Sequence, residues 1–70
     1  MRMCHFNPEY NRILAECYMN DSEFRNKLDE LGFDKDALIT NLIKYQIDLP
    51  NNWLDLADEV KKEAIFQLSL

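Results

Sequence analysis

Glycine occurs once in the 70 residues, as Gly32, proline twice and histidine once. A β-rich domain of this length needs more turn residues than that, so the scarcity of glycine and proline favours helices. Basic residues are also few, with 8 Lys and Arg against 13 Asp and Glu and a net charge of −5. An acidic field repels phosphate backbones and anionic lipid, so direct nucleic-acid and membrane partners are not expected. No apolar run approaches the length of a membrane span. Met1-Arg2-Met3 runs into Cys4, His5, Phe6, Asn7 and Pro8 without the apolar stretch of a signal peptide. The expected location is therefore the cytoplasm, where Cys4 and Cys17 stay reduced.

A catalytic inventory is missing as well. His5 is the only histidine, near the start of the sequence and next to Cys4, so a Cys–His catalytic pair would need unusual support. No glycine-rich loop cradles a phosphate, and no nucleophile elbow is present. Asp29–Glu30 and Asp58–Glu59 are sequence neighbours, which diverge around a helix axis instead of converging on a substrate. Met3, Cys4, His5 and Cys17 are soft ligands, yet structural zinc wants two ligand pairs at recognisable spacing and only one such cluster exists. The expectation is a non-enzyme with no metal and no cofactor.

What is present is helical punctuation. Asn7 before Pro8 is a cap followed by a first-turn proline. Tyr10, Ile13, Leu14, Cys17 and Tyr18 then fall on one face of a helix over about residues 8–19. Asn20, with Glu23 three residues on, reads as the capping box of a second helix whose apolar stripe is Phe24, Leu28 and Leu31. Gly32 stands where a left-handed residue ends that helix, and Phe33 can close on Leu28 in a Schellman contact. Asp34 caps a third helix, with Phe33 and Leu38 as its hydrophobic staple and Leu38, Ile39, Leu42 and Ile43 expected inward. Ile47-Asp48-Leu49-Pro50 is extended because Pro50 keeps Leu49 out of the helical region. Asn51 or Asn52 starts a fourth helix with Trp53, Leu56, Ala57, Val60, Ala64 and Leu68 inside. The expected fold is all-α: a compact four-helix array with short loops, one domain over residues 1–70.

The charge is uneven. Residues 1–20 balance, residues 21–36 carry six acids against three bases, and residues 55–63 carry four against two. Helix two, the Gly32 turn and helix three have the lengths of a helix-turn-helix, but the would-be recognition helix opens on Asp34-Lys35-Asp36, the wrong charge for a groove. A basic protein surface suits this chain better. The leading expectation is a stoichiometric inhibitor or regulator of a basic, nucleic-acid-binding class of protein. Its contact acids would be Glu23, Asp29, Glu30, Asp34 and Asp36, with Asp55, Asp58 and Glu59 as a second patch. Tyr10, Tyr45 and Trp53 are candidate apolar anchors. For Trp53 the simpler role is to seal one end of the core.

In size, acidity and helicity the chain is similar to phage-encoded inhibitors such as small acidic anti-CRISPR proteins. The segments NDSEFRNKL at residues 20–28 and IDLP at 47–50 resemble the nitrile-hydratase-like leader regions of ribosomal peptide precursors, although Tyr45-Gln46 stands where those leaders carry glycine. That resemblance implies an alternative role as a recognition module read by a modifying enzyme. Ala64, Ile65, Phe66, Leu68 and Leu70 raise a third expectation, self-association through an apolar C-terminal helix.

Overall fold

The four predicted helices are all present in the computed structural model, which describes residues 8–70. They are α1 (Pro8–Asn20), α2 (Ser22–Glu30), α3 (Lys35–Tyr45) and α4 (Trp53–Ser69), with no strand among the described residues. Helix α1 starts at Pro8 as expected. The Asn7 cap lies outside the described residues, as do Met3, Cys4 and His5.

Helix α1 is the centre of the array and packs against all three others, while α2 also packs on α4 and α3 sits chiefly on α1. This placement explains why α1 buries more than one stripe. Ile13 and Leu14 are fully enclosed, and Ala15, Cys17 and the polar Asn11 are buried around them. Phe24, Leu28, Phe33, Leu38, Ala57, Val60 and Ala64 complete the core from the other elements. No fully buried side-chain nitrogen or oxygen among the described residues lacks a hydrogen-bond partner.

The α1–α2 corner differs from the sequence expectation by one residue. Asn20 does not cap α2. It remains the last residue of α1, and its side-chain amide donates to the Glu16 carbonyl and carboxylate at 2.9 and 2.8 Å. Asp21 is the cap: its backbone is extended and its Oδ1 accepts from the Phe24 N–H at 3.1 Å. The Asp21 N–H meanwhile donates back to the Cys17 carbonyl at 2.9 Å, so one residue closes α1 and opens α2. With the cap shifted, Glu23 falls a position short of a capping box.

The α2–α3 corner follows the expected chemistry. Gly32 has φ +81°. Its N–H donates to the Asp29 carbonyl at 3.1 Å and the Phe33 N–H donates to the Leu28 carbonyl at 3.0 Å, the two bonds of a Schellman motif. Phe33 and Leu28 are both buried there. Asp34 Oδ1 then accepts from the Ala37 N–H at 3.1 Å and starts α3.

One face of α3 is not as expected. Leu38 is buried and Leu42 packs against the core, but Ile39 and Ile43 are turned outward, Ile43 with 67% of its surface exposed. Successive residues lie about 100° apart on a helix, and a helix seated chiefly on one neighbour covers only one of the two adjacent stripes. Helix α3 ends in a left-handed Gln46 (φ 49°), whose N–H donates to the Leu42 carbonyl at 3.0 Å. Asn52 precedes α4 without a side-chain cap. A turn in which the Trp53 N–H donates to the Pro50 carbonyl at 3.1 Å serves instead.

Candidate functional site

All eight expected contact acids are exposed, but they are not equivalent. Asp34 is occupied as a cap, and Asp29 accepts the Tyr18 hydroxyl at 2.7 Å. That bond holds the Tyr18 phenol above its usual pKa, since a phenolate would lose the bond and face the carboxylate. Glu23, Glu30, Asp36, Asp55, Asp58 and Glu59 make no side-chain hydrogen bond or ion pair among the described residues.

The most heavily engaged acid was absent from the sequence expectation. Asp21 Oδ2 lies 2.9 Å from Lys61 Nζ on α4. The lysine hydrogen bond, helped by the Phe24 N–H, holds the Asp21 carboxyl below its usual range, and Asp21 in turn raises Lys61. Lys61 Nζ also stands 6.0 Å from the Phe24 ring centroid.

Two acids of the second patch border different clefts. Asp58 lines a cleft of about 220 Å³ with Trp53, Leu54, Asp21 and Lys61, with Cys17 on its lining. Glu59 lines a different, open cleft with Tyr10, Lys62, Glu63 and Phe66. Asp55, at i−3 from Asp58 and i−4 from Glu59 on the same helix, lies between the two on the exposed face of α4. The Cys17 thiol is pushed up chiefly by burial, against the lowering influence of Lys61, and is free among the described residues. The expected Met3-Cys4-His5 ligand cluster falls outside the described residues. Within them no three His, Cys, Asp or Glu side chains are grouped to hold a metal.

The aromatic candidates also separate. Tyr10 and Trp53 are half-buried against the core, Trp53 sealing its margin beside the Asp58 cleft. Tyr45 is exposed at the end of α3, with Lys44 Nζ 5.5 Å from its ring centroid. The NDSEFRNKL segment spans the α1–α2 corner and most of α2, and IDLP lies in the α3–α4 connection.

A surface that the periodicity did not single out lies between α1 and α3. Ala15 and Leu38 are at its base, and Tyr18, Met19, Ile39 and Leu42 form its walls, around a volume of about 210 Å³ with an entirely apolar lining. Lys35 contributes only its methylene stem. Met19 is 71% exposed and Ile39 49%. The outward isoleucines of α3 were the available signal, but periodicity alone placed them in the core. No helix among the described residues is long and apolar enough to cross a membrane. No protein-family model, no curated protein and no solved structure matches this chain.

Proposed function

We propose that the protein acts by binding a basic protein surface as a stoichiometric inhibitor or regulator. The observation that carries this reading is the set of exposed carboxylates without partners among the described residues: Glu23 and Glu30 on α2, Asp36 at the start of α3, and Asp55, Asp58 and Glu59 on α4. Charges that stabilise the fold are normally paired or capping, as Asp21, Asp29 and Asp34 are here. Unpaired acids on a chain of net charge −5 act at long range, speeding encounter with a basic partner and repelling acidic competitors. Helix α2 and the start of α3 make the stronger candidate surface, because residues 21–36 hold six acids against three bases and residues 55–63 four against two.

The test starts from a partner identified by pull-down from the native host and mass spectrometry. Association rates are then measured against salt for the wild type and for a double variant, Glu30→Lys with Asp36→Lys. Each replacement removes a free carboxylate, and the pair takes residues 21–36 from a net of −3 to +1. The expected result is an unchanged helical circular dichroism spectrum, a steep fall in association rate and a weaker salt dependence. A double variant that folds normally and associates at the wild-type rate at low salt overturns the reading and leaves the acidity as a solubility feature.

A second reading is favoured by Phe66 at 58% exposure and Leu70 at 82%. These residues leave an apolar end on α4 that a second copy could cover, and concentration-dependent sedimentation lost on Phe66→Ser would identify it.

A further inference from the structure

We infer that the groove between α1 and α3 seats the apolar face of an amphipathic helix from the basic partner, with the partner's cationic residues lying toward the Asp29–Asp36 end. The inference rests on the reading of a basic partner and adds what the acids alone do not supply, a place where buried contact can hold the complex. Charge mainly accelerates encounter, whereas a desolvated apolar contact sets residence time.

Three observations converge on this surface. The groove lining has no polar atoms, and its exposed walls are Met19 from α1 and Ile39 from α3. Ile43, one turn beyond Ile39, extends the apolar row along α3. Methionine adapts its shape to varied partners, and a pair one turn apart suits side chains at helical spacing.

The groove also opens directly into the acidic band. Tyr18, one of its walls, donates its hydroxyl to Asp29 at 2.7 Å. Residues 29–36 carry Asp29, Glu30, Asp34 and Asp36 against the single Lys35, a net of −3. An occupant therefore meets net negative charge at the Asp29–Asp36 end, which favours cationic residues there.

Finally, the described residues offer no sheet edge to which an extended segment could add, whereas an apolar groove between two helices suits the helix-in-groove mode. A second copy of the chain suits the site less well, because it would bring a second acidic band toward the first.

The probe is a synthetic helical peptide of leucine and lysine, with leucines along one face. Its control has the leucines replaced by glutamine. Amide shifts of isotope-labelled protein should move at Ala15, Met19, Ile39 and Ile43 as well as through Asp29–Asp36. The exposed double variant Met19→Ser with Ile39→Ser should keep its circular dichroism spectrum and bind the leucine peptide at least about tenfold more weakly. Lys35→Glu should bind it more tightly. The glutamine peptide should bind weakly, respond to the charge changes at Glu30, Asp36 and Lys35, and ignore Met19→Ser with Ile39→Ser.

Equal binding of both peptides by wild type and M19S/I39S, lost on the charge reversal, overturns the groove and leaves the acidic reading standing. Groove-dependent binding that ignores both the charge reversal and Lys35→Glu overturns the basic occupant. Absence of binding by either peptide at low salt overturns both. Self-association abolished by Ile39→Ser assigns the groove to a second copy and overturns the inference.

Discussion

Asp21 and Lys61 stand forty positions apart in the chain and 2.9 Å apart in the fold. The two oxygens of Asp21 divide the work: Oδ1 accepts the Phe24 N–H that starts α2, and Oδ2 accepts Lys61 Nζ from α4. A local cap is thereby tied to a tertiary contact. Replacing Asp21 with Asn should keep the cap and lose the ion pair, whereas Asp21→Ala should lose both. Denaturant midpoints should rank wild type above D21N and D21N above D21A. Equal midpoints for the two variants would show that Oδ1 contributes nothing as a cap.

The same pair gives stability a pH profile with a defined sign. Asp21 has its folded pKa lowered, so its contribution is present above the unfolded carboxylate value of about 3.9 and is lost as pH falls through the lower folded value. Lys61, Cys17 and Tyr18 have folded values raised. Their contributions are present below the unfolded values of about 8.5 for the thiol and about 10 for the phenol and amine, and are lost as pH rises through the folded ones. Stability should be flat between about pH 5 and pH 8 and fall on both sides. In Lys61→Met the acid-side fall should shrink, which urea melts at stepped pH would detect.

Gly32 offers a separation of strain from crowding. A Cβ added there meets nothing within 4 Å, yet φ is +81°. Gly32→Val should therefore destabilise by about 1–2 kcal/mol through backbone strain alone, and Gly32→Asn should cost less because asparagine tolerates the left-handed region. Equal melting temperatures for the two variants would count against this account.

Gln46 presents the opposite case, a non-glycine residue at φ 49° and ψ 50°. Gln46→Gly should relieve strain that outweighs the added freedom of the unfolded chain. A gain of a few tenths to about 1 kcal/mol is expected, read as a melting temperature raised by up to about 4–8 °C.

Burial separates two leucines that composition treats alike. Leu14 is fully enclosed and Leu54 is 70% exposed. Leu14→Ala should cost about 2–5 kcal/mol, enough to leave so small a domain largely unfolded, while Leu54→Ala should stay within about 0.5 kcal/mol. Denaturant melts of both variants in parallel decide the comparison.

Helix boundaries were legible because their signals are local. Gly32, Asp34 and Pro8 each act within a few residues, and the structure uses Gly32 and Asp34 as the pattern predicts. Asn20 and Asp21 were harder to tell apart, since both are good caps and only the length of α1 decides between them. The outward turn of Ile39 and Ile43 was not legible. A stripe containing Leu38, Ile39, Leu42 and Ile43 has the right period for burial, and which half is covered depends on how many neighbours α3 has. The Asp21–Lys61 pair and the α1–α3 groove were beyond reach for the same reason: each joins residues whose separation in sequence carries no periodic mark. The exposed acids were legible as charge, but their division into capping and paired carboxylates depends on tertiary contacts that carry no local mark.

The central position of α1 also ranks the helices by how readily each can come loose. Helices α2 and α4 grip each other as well as α1, whereas α3 rests chiefly on α1. Lifting α3 away disturbs little of the α1–α2–α4 packing, so local opening should begin there and amide exchange should be fastest in Lys35–Tyr45 and slowest in the middle of α1. The wall of the groove that carries Ile39 is thus also its least anchored part, able to widen around a guest at small cost while the rest of the molecule stays closed.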